Sequence, residues 1–189
     1  MNRSPTPVAS NEIALLGFLL DGPRHGYAMY KELTQTSDLW LVWRMKQSQF
    51  YALLARLASH GLLTSFKGEA EPGRPPRKMY QLTDAGRAAF EDWLKAPVQR
   101  GRQFRLDLLV KLFFAQKQGA QGVSTLLNMQ QKTCNRWLQE CTHAARDAAQ
   151  PYQRLVHKYR TGQIEAMLLW IDACREELVS AASINPAHS

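Results

Sequence analysis

A mainly α fold is predicted for this chain of 189 residues. Its first part is an α+β winged helix-turn-helix with a two-stranded wing, and an all-α region follows. Three observations predict it. Three short apolar helices come first, the period then changes from helical to two-residue after Gly61, and everything beyond residue 103 returns to helical spacing.

Taken in order, residues 1–9 form a Pro-containing tail. Ser10 is placed to cap "NEIALLGFLLDG", a short apolar helix closed by Gly22-Pro23. "PRHGY" is a turn, with Gly26 opening a second helix, "YAMYKELTQTS", and His25 orienting it. "DLWLVWRM" is aromatic enough to pack as a short segment. The third helix, "KQSQFYALLARLASHG", ends at Gly61. "LLTSFKG" and "RKMYQLT" alternate as two strands, with Tyr80 and Leu82 on one face. Thr83 and Asp84 then open "DAGRAAFEDWLK", where a capping hydroxyl and an acidic first turn suit a helix start. This first domain is expected at 10–95, with a linker at 96–102 in the basic stretch "APVQRGRQ".

The helical region is expected at 103–181, before a tail at 182–189. "FRLDLLVKLFFAQK" is apolar almost all round. A helix near 121–149 repeats Leu127, Cys134, Cys141 and Ala148 every seven residues, and another from Pro151 carries Tyr152, Leu155, Tyr159, Met167, Trp170 and Cys174, with Gly162 near its centre. These helices offer more apolar stripe than one small bundle hides, so self-association is expected.

Charge narrows the function classes. The net charge is +8. Between residues 44 and 78 stand Arg44, Lys46, Arg56, Lys67, Arg74, Arg77 and Lys78 against Glu69 and Glu71 alone. Such a concentration favours an acidic partner, nucleic acid above all. No apolar run is long enough to span a bilayer, and the first residues lack the apolar middle of a secretion signal, so a cytoplasmic location and no membrane partner are expected. Three cysteines without a close pair argue against a disulfide framework. No HExxH pair, Cys-x-x-Cys spacing, Gly-rich phosphate loop or Gly-x-Ser-x-Gly elbow occurs, so neither enzyme activity, metal nor cofactor is expected.

On the third helix, Phe50, Leu53, Leu54 and Leu57 share one face. Ser48, Ala52, Ala55 and Ser59 lie opposite, flanked by Tyr51 and Arg56. A small-faced helix slides into a major groove where long side chains would hold it off. Lys46, Ser48, Gln49, Tyr51 and Arg56 are therefore the expected double-stranded DNA contacts of this helix, Arg56 reaching either a guanine edge or a phosphate. Between the strands, Pro75 and Pro76 stiffen the loop, which delivers Arg74, Arg77 and Lys78 to a phosphate backbone, with Lys67 at the other strand end.

The stretches "LLGFLLDGPRHGYAMYKEL", "SQFYALLARLASHGLL" and "GRPPRKMYQLTDAGR" strongly resemble the winged-helix domain of PadR-type transcriptional regulators. "LLVKLFFA" and "RTGQIEAMLLWIDAC" resemble the helical C-terminal part of the virulence-activator subgroup. The resemblance implies a homodimer paired through C-terminal helices, each subunit placing one winged helix on a half-site. It also implies that a small hydrophobic effector could act on some members. Trp93, Phe113, Phe114, Trp137 and Trp170 are the expected lining of an effector pocket, or else dimer core. A repressor is expected, with an activator of the same fold, or a winged helix that binds protein rather than DNA, as alternatives.

Overall fold

The run of apolar side chains at residues 14–19 leaves no polar face, so this segment has to sit inside. In the computed structural model, which describes residues 10–68 and 77–180, Leu15, Leu16, Phe18 and Leu19 are all buried. The segment begins as α1 (Ser10–Ile13) and tightens into a 3-10 stretch, Ala14–Leu19. After the turn at Gly22, Arg24–His25 forms a two-residue strand, β1, before α2 (Gly26–Lys31), which widens into a π turn at Glu32–Thr36. A 3-10 turn, Asp38–Leu41, buries Leu39 and leads to Trp43, which is buried too.

Next comes α3 (Gln47–Ser59), which turns Phe50, Leu54 and Leu57 inward. It ends as the glycine predicts. Gly61 takes φ +70°, Leu62 N–H reaches Leu57 O at 3.1 Å, and Gly61 N–H reaches Ala58 O at 3.0 Å. Those are the paired bonds of a Schellman end, and only the missing Cβ makes the left-handed residue cheap.

Two strands follow, β2 (Leu63–Lys67) and β3 (Lys78–Leu82), in the expected antiparallel hairpin. A third strand joins this two-stranded wing. Arg24 and His25 pair with Tyr80 and Met79, giving a three-stranded sheet of order β1-β3-β2. Two residues are too few to display a two-residue period, which is why "PRHGY" reads as a plain turn. Then α4 (Asp84–Lys95) opens on its expected cap, with Thr83 Oγ1 accepting Gly86 N–H at 3.0 Å. Gly86 itself lets the helix lie on the strand entry, since a Cβ there would stand 1.9 Å from Leu62 O.

The chain divides into two compact units. Residues 1–94 and 105–113 make the first, and residues 95–104 and 114–189 the second. Most of α5 (Asp107–Gln116) belongs with the winged helix rather than with the helices after it. Pro97 lacks the N–H that would continue α4 to the carbonyl of Trp93. The Lys111 ammonium donates to that oxygen instead and lies 4.7 Å from the indole centroid of Trp93.

In the second unit α6 (Gly119–Arg146) packs along α7 (Pro151–Arg175). The seven-residue repeat of α6 is its inner face, with Leu127, Cys134 and Cys141 buried. Gln130 is fully buried on the same face and accepts Val98 N–H at 2.8 Å, which ties the linker to α6. On α7, Pro151 follows Gln150, which forms a reciprocal cap with Gln153. The helix runs through Gly162 without a break. Its apolar stripe is not one face but two. Ile171 and Cys174 are buried, with Met167 half-buried on the same side, whereas Tyr152, Leu155 and Tyr159 are 75%, 65% and 66% exposed.

Candidate nucleic-acid interface

The outward face of α3 is as small as its sequence implies. Ser48, Gln49, Ala52 and Ala55 are exposed, and Lys46 stands exposed in extended backbone just before the helix. Nothing longer than Gln49 rises from the first two turns of this face.

Tyr51 lies lower. Its ring meets Phe50 edge-on at 5.7 Å and covers the His25–Gly26 turn, where a Cβ on Gly26 would stand 2.6 Å from Tyr51 Cε1 and 3.1 Å from Tyr80. This close approach is the physical reason for a glycine between His25 and Tyr27. Gly26→Ala is expected to push the Tyr51 ring outward, lowering stability by about 1–2 kcal/mol. Thermal melts would measure that loss, and DNA affinity should fall with it.

Arg56 departs from expectation. Its Nη2 donates to Glu12 Oε1, and the Glu12 side chain is only 7% exposed against 37% for Arg56. The guanidinium therefore folds back to α1 and neutralises a buried carboxylate, instead of extending toward a groove. The sequence gives no warning, because a charged residue at 12 in a short amphipathic start reads as solvent-facing.

The wing concentrates charge at one end. Lys67 and Lys78 are direct cross-strand partners, and both are exposed. Like charges directly opposite each other are destabilising in a sheet. A bound anion would relieve that repulsion. Lys78 Nζ also lies 5.3 Å from the Tyr80 ring centroid. Arg77 is exposed, and its carbonyl accepts Gly68 N–H at 2.8 Å, closing the hairpin. Arg74, with Pro75 and Pro76, lies outside the described residues.

Sequence reasoning missed one feature here. Tyr27, Tyr51, Tyr80, Arg77, Lys78 and His25 surround a hollow of about 460 Å³ beside α3. Tyr27 is 59% exposed, and His25 Nδ1 is buried without a hydrogen-bond partner. Burial, with Tyr51 nearby, pushes the Tyr80 phenol up, so it stays a neutral donor. The hollow arises because β1 brings residues 24–27 alongside β3, a pairing the sequence does not display.

The aromatic residues expected to line an effector pocket are divided between the two units. Trp93 and Phe113 fall in the first unit, and Phe114, Trp137 and Trp170 in the second. Trp93 is core beside Phe90 at 5.5 Å, Phe114 is fully buried, and Trp170 meets Phe104 edge-on at 5.9 Å. Trp137 borders a sizeable hollow. That hollow, about 720 Å³ within the second unit, is walled by Trp137, Ile164 and Met167 and edged by Arg100, Arg102 and Arg160. Cys141 and His157 meet on its wall, Sγ to Nδ1 3.8 Å. The other two cysteines are buried and free, and burial, with Glu177 adding, pushes the Cys174 thiol up to about 11.

A helix with a small outward face, flanked by a short antiparallel sheet ending in cations, defines a winged helix-turn-helix protein. Comparison with known families makes this more particular. Residues 15–92 match the transcriptional regulator PadR-like family, and residues 104–179 match the virulence activator alpha C-terminal domain. The chain thus carries a PadR-like domain followed by a helical domain of the virulence-activator C-terminal type. It is 29% identical over 117 residues to the negative transcriptional regulator PadR of Bacillus subtilis. The alignment covers 62% of this chain and 63% of that protein, just under two thirds of its length. Among solved structures it is similar to Bacillus subtilis PadR in complex with operator DNA, at 22% identity and a TM-score of 0.46, over 89% of this chain and 97% of that one. It is also similar to a PadR family transcription regulator from Clostridium difficile, at 24% identity and a TM-score of 0.38, over 44% and 82%. Among the described residues no helix is long and apolar enough to cross a membrane.

Proposed function

We propose that the protein is a homodimeric, sequence-specific DNA-binding transcriptional repressor of the cytoplasm, without catalytic activity. One observation carries the reading: the PadR-like match at residues 15–92 coincides with a small-faced α3 beside a wing whose facing strand ends are both lysines. In this reading α3 enters the major groove with Ser48 and Gln49 at base edges and Tyr51 at its flank. Lys46, Lys67, Arg77 and Lys78, and Arg74 by its place in the sequence, neutralise phosphates. Arg56 acts from behind, holding α3 to α1. Two subunits joined through their C-terminal helices present two reading helices about 34 Å apart, one turn of duplex. The sign of regulation follows the Bacillus relative, whose name is that of a negative regulator. The hollow beside Trp137 suits a small effector with an apolar body and an anionic group, since Trp137, Ile164 and Met167 line it and its three arginines outnumber the single carboxylate, Glu140.

The test is binding to a duplex from the gene's own upstream region and to a shuffled duplex of equal length, at roughly 50 to 200 mM salt. Affinity should fall steeply with salt and favour the upstream duplex. A flat response, or equal affinity for the two, overturns the reading. Lys67→Ala and Lys78→Ala should each weaken both duplexes alike and reduce the salt slope by about one. Lys67→Ala should also raise stability by about 0.2–0.5 kcal/mol, because the cross-strand repulsion goes. That opposition of signs separates a phosphate contact from a structural role. Gln49→Ala should instead narrow the gap between the duplexes and leave the slope unchanged.

A further inference from the structure

Gly26 forms the floor of the hollow between α3 and the wing. A Cβ there would stand 2.6 Å from Tyr51 and 3.1 Å from Tyr80, so the edges of two phenol rings close around a residue without a side chain. Tyr27 supplies an outer wall, and at 59% exposure most of its ring faces water in the single chain. Three aromatic rings thus bound a space of about 460 Å³. Their flat faces stack on a planar ring of almost any kind.

The remaining wall is cationic. Arg77 and Lys78 line it, both exposed, and Lys67 faces Lys78 across the strands, so three positive charges stand at one end of the wing. Lys78 Nζ lies 5.3 Å from the ring centroid of Tyr80, which brings the ammonium against the aromatic lining. Among the described residues the lining includes no acid.

The charge count selects among anions. A carboxylate or a phosphodiester brings one negative charge. A phosphate monoester carries about −1.5 to −2 at pH 7 and has three acceptor oxygens. It can therefore answer Arg77 and Lys78 together and relieve the repulsion between Lys78 and Lys67. Duplex DNA could reach the same cations, but its bases are stacked and paired inside the helix. A duplex would touch the rim and leave the tyrosine walls unfilled. A free nucleotide offers both parts at once, a flat base for the rings and a doubly charged phosphate for the wing.

We propose that this hollow binds a free nucleoside monophosphate, with its base against Tyr27 and Tyr51 and its phosphate on Arg77 and Lys78. The same two cations serve the phosphate backbone in the DNA-binding reading of the preceding section. Nucleotide and duplex then compete, each weakening the other by the same factor. The competition rests on that reading; the site does not.

Isothermal titration of the full-length protein with AMP, GMP, CMP and UMP, without DNA, tests the site. At least one should bind, at one site per chain. Its parent nucleoside, inorganic phosphate and its 3′,5′-cyclic form, a diester of single charge, should each bind at least tenfold more weakly. Tyr27→Ala should weaken the nucleotide about tenfold and Tyr27→Phe should leave it unchanged, because stacking needs the ring and not the hydroxyl. Arg77→Ala should weaken it at least as much. Tyr27 is mostly exposed, so its truncation spares the core, and an unchanged melting midpoint of the free variant checks this. No binding by any of the four up to millimolar concentration overturns the proposal. So does inorganic phosphate binding as tightly as the nucleotide, which would make the hollow a plain anion seat. Nucleotide binding that survives both Tyr27→Ala and Arg77→Ala belongs elsewhere on the chain and overturns it too. Loss of duplex affinity in Tyr27→Ala, with no nucleotide bound by the parent, would assign the hollow to the duplex instead. Added nucleotide should finally release bound duplex. Binding without release keeps the site and removes Arg77 and Lys78 from the duplex contact, whereas failure of the titration leaves the salt-series test standing.

Discussion

Arg56→Ala is expected to lower the stability of the winged-helix unit by about 3–5 kcal/mol, the typical cost of leaving a buried charge without its partner. The Glu12 side chain is 7% exposed, and the arginine that neutralises it comes from α3, 44 residues away in sequence. Removing the guanidinium leaves the carboxylate buried without its charge partner. The exposed part of Arg56 places the value toward the lower half of that range, since water screens the outer side of the pair. Loss of DNA binding by this variant would follow from loss of the folded reading helix, for every duplex alike. A compensating change distinguishes that from a lost base contact. Glu12→Gln in the same chain removes the orphaned charge and should recover more than half of the stability lost, measured by urea denaturation, and recover DNA affinity with it. Retained stability in Arg56→Ala, accompanied by lost preference for the upstream duplex, would return Arg56 to the groove.

Arg56 also marks where the sequence becomes illegible. Local signals were readable. Gly61 at the end of α3, Thr83 ahead of α4 and the alternation of β2 and β3 all report on neighbours within a few residues, and each has the structural role its chemistry implies. The small outward face of α3 was readable for the same reason, since helical periodicity is local. Long-range pairings were not. Nothing near Glu12 or Arg56 announces their contact, and a two-residue strand such as Arg24–His25 carries no period. The aromatic residues failed differently. Helical spacing shows that Trp93, Phe114 and Trp170 face inward, but not whether inward means core or cavity. The hollow beside Trp137 is instead edged by Arg100, Arg102 and Arg160, residues that read as surface charge. On α7 the spacing was visible, yet the division between a face on α6 and a bare one depends on the packing of the whole unit.

Lys111 supplies the other large effect, and its signature is a dependence on pH. Burial holds its ammonium down at about 8 against the usual 10.5, only partly opposed by Asp107. The residue is 3% exposed, lying on the Trp93 ring and donating to the Trp93 carbonyl. Between these two values the unfolded chain keeps the proton that the folded chain has released. The unfolded state then binds more protons, so stability rises with pH across that window. A lowering of this size corresponds to about 3 kcal/mol, absent below pH 8 and gained in full near pH 10.5. A neutral amine still donates to Trp93 O, so the contact survives the gain. Lys111→Met keeps the length of the side chain and has no proton to release. The stability difference between Lys111→Met and the parent should therefore shift toward the parent by about 3 kcal/mol as pH rises from 7 to 10.5. Taking the difference cancels the tyrosines and cysteines that titrate in both proteins. Lys111→Arg should be less stable than the parent throughout, and increasingly so at high pH, because a guanidinium does not discharge in this range. Urea denaturation at four or five pH values measures all three. A difference that stays level across the window would mean that the ammonium is paired well enough to keep its ordinary affinity for the proton.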